Sequence, residues 1–177
     1  MPNLQPTIET PDLLDGGGDH RFRQMLYDLL HLEAFMRRAR ERLGASAGVS
    51  SSAYAILMKV AEADREDGVR VSDVAEKLHV TGAFVTREAN QLVKSGLLAK
   101  DPDPDDGRSV RLVLTAEAIR RLRVIAPMQR SINDQLFGHM NRQEFETFSR
   151  LTARISSQAD NLSSDELSKI TKLVAAE

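Results

Sequence analysis

Cysteine is absent from the 177 residues, which removes disulfides as a structural device and excludes a thiol nucleophile or a thiol redox switch. No apolar run approaches the roughly 18 residues that span a bilayer, and residues 1–19 lack the basic and apolar regions of a secretory leader. These absences predict a cytoplasmic protein with no membrane partner. The four histidines show no His-x-x-x-His spacing, so no metal site is expected. Gly16, Gly17 and Gly18 follow no predicted strand, so they do not form a phosphate-cradling loop. The sequence therefore does not read as an enzyme, and neither a catalytic residue nor a cofactor is expected.

An excess of positive charge is lacking too, since the net charge is −2, and DNA affinity rests on Lys and Arg neutralising phosphates. The acids, however, gather at the ends. Residues 1–19 contribute −4 and residues 160–177 contribute −2, which leaves 20–159 at +4. A nucleic-acid partner is thus compatible with the body of the chain.

What is present is mostly helical periodicity. Pro2, Pro6, Pro11 and the three glycines predict a flexible tail over 1–19. Phe22, Met25, Leu29, Leu32, Met36, Ala39 and Leu43 recur at three-and-four spacing and predict a long helix over 21–43, ended by Gly44 and Gly48. Ser50 to Ser52 cap a second helix running to about 63, with Tyr54, Leu57, Met58 and Ala61 on one side. Val69 and Val71 suggest a short strand, and Ser72 is placed as the cap of a helix over 73–78, with Val74, Ala75 and Leu78 inward. His79 and Val80 make a turn.

Thr81 caps the next helix, over 81–94. Its wheel sets Val85, Ala89 and Leu92 on one face and Ala83, Arg87, Asn90 and Lys94 on the other, with Thr86 at the edge. After Gly96 the period changes to two. Residues 97–100 and 110–114 read as a hairpin joined by a loop of prolines, aspartates and an Asp-Gly pair. Thr115 caps a long helix that Pro127 should kink. Asn141 with Glu144, and then Ser163 with Glu166, are capping boxes for two further helices.

Helix, turn, helix with a polar outer face, then hairpin is the winged helix-turn-helix order. A helix fits the major groove, where Arg87 can bond guanine bidentately, Asn90 can pair with adenine, and Thr81, Ala83 and Thr86 can touch thymine methyls or base edges. Lys94 lies nearer a phosphate. In the loop, Arg108 has the charge to enter a minor groove, and Asp106 can hold its guanidinium. Arg111 is a further contact candidate. With Lys100 it is also a partner for Asp101, Asp103 and Asp105, which must turn away from phosphates.

These residues resemble the MarR family of bacterial regulators. The likeness rests on Val74-Ala75 and Leu78, Val85-Thr86-Arg87, Gly96-Leu97, and Asp103-Pro-x-Asp106-Gly-Arg108 leading to Leu114-Thr115. It extends over roughly 21–161. Lys100 stands where an arginine is frequent in the family, Ala53 where a glutamine is, and Ala118 where a glycine is. The resemblance implies a mainly α fold with a small β-hairpin wing. Its parts are an N-terminal dimerisation helix over 20–48, a winged helix-turn-helix over 49–115 and C-terminal dimerisation helices over 116–177. It implies a homodimer bound to a near-palindromic duplex, usually as a repressor, with Asp106 and Arg108 supporting and inserting the wing.

Such regulators often sense small aromatic acids or acyl thioesters between the dimerisation helices and the winged domain. Here His20, Arg23, Tyr27 and His31 form a stripe on the first helix, with Tyr54 and Met58 on the second. These are the candidate ligand-binding residues for an inducer. A winged-helix module that binds DNA or protein partners without sensing a ligand fits the same residues, and differs by lacking the inducer.

Overall fold

The computed structural model describes residues 5–63, 68–104 and 109–162. The helices are α1 (His20–Ala47), α2 (Ser51–Ala61), α3 (Val71–Lys77), α4 (Gly82–Lys94), α5 (Ala116–Phe137) and α6 (Arg142–Asn161). The strands are β1 (Val69–Arg70), β2 (Leu98–Pro102) and β3 (Val110–Leu114). They form one antiparallel sheet in the order β1-β3-β2, so the expected two-stranded hairpin carries a third, two-residue strand on its other edge. Val69 pairs with Leu112, and Lys100 faces Leu112 from the opposite side.

Helix starts follow the predicted caps. Ser50 accepts from the Ala53 amide, Thr81 from Phe84 and Thr115 from Ala118, each satisfying a donor that the first turn leaves orphaned. Asn141 and Glu144 close a reciprocal capping box. The expected cap at Ser72 is not used. Val71 already belongs to α3, and the Ser72 hydroxyl bonds the Asp73 carboxylate. The capping box at Ser163 and Glu166 lies outside the described residues.

Gly44 does not stop α1. The helix runs three residues further, and Gly48 ends it in the left-handed region at φ 73°. The Val49 amide then bonds the Gly44 carbonyl and the Gly48 amide bonds that of Ala45, a Schellman closure. Gly44 serves close approach instead. A Cβ there would lie 2.9 Å from the Ser50 carbonyl oxygen, so the glycine lets the chain double back over the helix. His79 ends α3 in the same left-handed conformation, at φ 52°.

The main core gathers Ile56, Leu57 and Val60 of α2, Val74 of α3, Val85, Ala89 and Leu92 of α4, and Leu97, Leu98 and Leu112 of the sheet. α2 is therefore central and buried on two sides, which a one-stripe reading of it misses. A second cluster, Leu43, Ala47, Tyr54 and Ile125, joins α1, α2 and α5. Beyond that joint the helices have little to pack on. Of the predicted α1 stripe only Leu43 is buried, and Met25, Leu29 and Met36 are exposed, while α6 has no buried residue.

Residues 7–19 have more order than their composition predicts. Pro11–Leu13 makes a 3-10 turn, and Asp15 and Gly18 bridge. The buried Asp19 carboxylate accepts from the Thr7 amide, the Thr7 hydroxyl and Arg23. Those three donors hold its carboxyl well below the usual carboxylate range, the Arg23 bond contributing most.

Candidate nucleic-acid interface

α4 is held from beneath by Val85, Ala89 and Leu92, all buried. Because those positions recur at three-and-four spacing, the opposite face must point outward, and Thr81, Ala83, Thr86, Arg87, Asn90 and Lys94 are all exposed. The structure thus leaves all six predicted residues exposed, Ala83, Arg87, Asn90 and Lys94 on the face opposite the core and Thr81 at the N-cap. Arg87 lies 5.2 Å over the Phe84 ring and 3.7 Å from Glu88. Glu88 is tied down by the Ser52 hydroxyl at 2.9 Å. The guanidinium is thereby positioned from two sides while its side chain remains 68% exposed. Phe84 is a contributor the sequence reading omitted, although its three-residue offset from Arg87 marks a shared helix face.

The wing base is built around Asp103. Its side chain is fully buried, it is ion-paired with Arg70 of β1 and Arg111 of β3, and its amide bonds the Ser109 carbonyl. A carboxylate without water needs compensating charge and hydrogen bonds, and two guanidinium groups supply them. Asp103 therefore does turn inward. Arg111 does so as well, being 19% exposed against Asp103, so its place as a DNA-contact candidate is revised to that of a brace for the hairpin. Arg70, thirty-three residues away in sequence, could not have been foreseen as its co-partner. The Asp106 and Arg108 assignments lie outside the described residues.

Among the described residues Lys100 makes no ion pair with an aspartate. It reaches from β2 to α4 and donates to the Asn90 Oδ1 at 2.6 Å, linking hairpin and helix. On α5, Glu117 accepts from Arg120 and Arg121, and these bonds draw its carboxyl down to about 2. Arg121 also donates to the Ala47 carbonyl at 3.1 Å, so one side chain joins the end of α1 to the start of α5.

The six ligand-binding candidates are not brought together. His20, Tyr27 and His31 stand exposed on α1, and Arg23 is engaged by Asp19. Tyr54 is buried in the α1–α2–α5 cluster with its hydroxyl unpartnered among the described residues, and burial pushes its pKa up. A stripe on one helix face meets the second helix only if that face is turned inward, and here it is not. Met58 does line a cavity of about 340 Å³ between α2, β3 and α5. Its walls include Ala61, Leu114 and Leu122, and its polar groups come from Arg123 and Gln129. Among the described residues no group of three or more acidic or histidine side chains could hold a metal ion, and no helix is long and apolar enough to cross a membrane.

Residues 47–109 match the MarR family model. An uncharacterised protein of Mycobacterium tuberculosis strain H37Rv is 32% identical over 113 residues, covering 64% of this chain and 76% of that protein. The transcriptional repressor MprA of Escherichia coli K12 is 21% identical over 136 residues, covering 77% of each chain. Among solved structures, CouR of Rhodococcus jostii bound to p-coumaroyl-CoA superposes with a TM-score of 0.66 at 17% identity, over 74% of this chain and 90% of that one.

Proposed function

Because the chain belongs to the MarR family, it is a DNA-binding transcriptional regulator and not an enzyme, and we propose that it works as a homodimeric, cytoplasmic repressor released by a small ligand. The observation that carries the DNA-reading part is the outer face of α4. It is polar, basic and exposed along its length, while the opposite face is anchored in the core. In a two-fold dimer the two copies of α4 enter successive major grooves about one turn, roughly 34 Å, apart. Arg87 and Asn90 reach base edges, Lys94 meets a phosphate, and Arg108 of the wing enters the flanking minor groove.

Dimerisation is supported by the uncovered apolar side chains Leu26 and Leu30 of α1, Val124 of α5, and Phe145 and Ile155 of α6, which water penalises unless a second copy covers them. Ligand release is supported by the apolar cavity, whose Arg123 cation suits the carboxylate or thioester end of an aromatic acid or its acyl derivative. A ligand there acts by favouring a dimer with wrongly spaced reading helices.

The test is fluorescence anisotropy on duplexes taken from the DNA flanking the protein's own gene. Wild type should bind one fragment specifically, and Arg87→Ala should relax the preference at one base pair in each half-site. A uniform loss over all sequences would instead make Arg87 a phosphate contact. Aromatic acids and acyl thioesters should raise the melting temperature if they bind the folded state. A blank screen would favour the module without an inducer.

A further inference from the structure

The far end of α6 touches the turn between α3 and α4. His79 Nδ1 lies 2.7 Å from the Asp160 Oδ1, and its Nε2 stands 3.5 Å from the Ser156 hydroxyl. Ser156 and Asp160 are one helical turn apart on the same face, so both ring nitrogens meet a single helix. Because a carboxylate only accepts, Nδ1 carries the hydrogen, and the serine hydroxyl can serve Nε2 as donor or acceptor. Among the described residues the hydrogen bonds and ion pairs that run from α6 to another element all go to His79. His79 is also the one non-glycine described residue with a positive φ, 52°. Glycine would take that backbone without strain, so the turn by itself does not call for an imidazole. The turn is closed by the His79 amide on the Glu76 carbonyl and the Val80 amide on that of Ala75, and Thr81, the N-cap of α4, follows directly.

We propose that His79 is a positioning residue that ties α6 to the start of α4 and so fixes how far apart the two reading helices sit on DNA. This rests on the reading of α4 as the DNA-reading helix and of α1, α5 and α6 as the dimer interface. In a two-fold dimer each winged portion hangs from the long helices, and its attitude sets the distance between the two copies of α4. One attachment is the cluster of Leu43, Ala47, Tyr54 and Ile125, which joins α1, α2 and α5. A body held at one joint can pivot on it. The His79 contact is a second attachment, made to a different helix and at a different part of the winged portion, and it restricts that pivot. The partners are half-exposed, so the link adds little to the stability of the fold. Its effect falls on spacing, and the dimer carries it twice.

The test is fluorescence anisotropy with the full-length protein on a duplex series. The half-sites are those that wild type selects from a randomised pool, and their separation is lengthened or shortened by one and two base pairs. Wild type should favour one separation. His79→Asn keeps a residue that tolerates the left-handed backbone but is too short to reach Asp160. It should shrink the advantage of the favoured separation by about threefold or more, since each exposed pair is worth up to about fivefold. Melting temperature, sedimentation and binding to a single half-site should stay as in wild type. Asp160→Ala should have the same effect, and the double variant should be no worse than either single one. The exchange of His79→Asp with Asp160→His should restore the preference, because aspartate also tolerates the turn.

A loss that is equal at every separation would overturn the proposal, since it describes a contribution to affinity and not to spacing. So would an unchanged spacing profile in His79→Asn, or an effect of His79→Asn that Asp160→Ala does not share, which would assign it to the turn alone. If wild type selects a half-site but has no favoured separation, this inference fails while the reading role of α4 stands. If wild type selects no sequence, the assignment of α4 fails, and this inference fails with it.

Discussion

At the scale of single residues, charge is used in two different ways on the same small domain. Asp103 is a buried carboxylate between two arginines. Removing it strands their charges in a partly dry site, which costs about 3 kcal/mol, so Asp103→Ala should lower the urea midpoint substantially. Asp101, exposed two residues earlier, should tolerate the same change within about 0.5 kcal/mol.

Glu117 is a surface case. Its carboxyl is drawn from 4.5 to about 2 by Arg120 and Arg121, so its stabilising effect is present above 4.5 and fades as the pH falls toward 2. Glu117→Gln should therefore melt earlier than wild type at neutral pH, and the gap should narrow as the pH is lowered below 4.5. Among these residues the sequence was legible where one helix sufficed. Arg87, Asn90 and Lys94 fall opposite Val85, Ala89 and Leu92 by period alone. The partners of Asp103 and Lys100 were not legible, because Arg70 and Asn90 meet them only through the packing of separate elements.

At the scale of elements, two glycines of similar appearance have opposite roles. Gly48 closes α1 at φ 73°, and a Cβ on it would stand 2.9 Å from the Arg121 guanidinium. Gly82 opens α4 with nothing within 4 Å of a Cβ. Gly48→Ala should destabilise by about 1 to 2 kcal/mol through the left-handed backbone. Gly82→Ala should raise stability by up to about 1 kcal/mol, since alanine restricts the unfolded chain and suits a helix. Thermal denaturation of the two variants reads both signs.

The caps at Ser50, Thr81, Thr115 and Asn141 were readable because capping is local, a hydroxyl or amide placed three residues before the amide it serves. Gly44 was misread because glycine stops a helix and permits close approach equally well. Only the returning Val49–Ser50 backbone decides between them. The third strand was read one residue out of place for a related reason. Val69 and Val71 alternate as a strand would, but Val71 is taken by α3.

At the scale of the whole molecule, the winged portion has a complete core while the long helices do not. The apolar stripe of α1 was correctly spaced in the sequence, but spacing cannot say whether the covering surface lies in the same chain. On the dimeric reading it lies in another copy. Leu30→Glu and Ile155→Glu should each shift sedimentation toward the monomer and weaken operator binding, while the winged portion keeps its fold. Wild-type melting should rise with protein concentration, because the two-chain state alone covers the stripe.

On the dimeric reading, those uncovered side chains also make the number of chains per cell part of the regulation. Below the dissociation constant, dimer concentration follows the square of chain concentration, so halving the copies leaves about a quarter of the dimers. Cells that dilute this protein by growth lose operator occupancy faster than they lose protein. For a dimeric repressor, as proposed above, a gene under its control is then released by dosage alone.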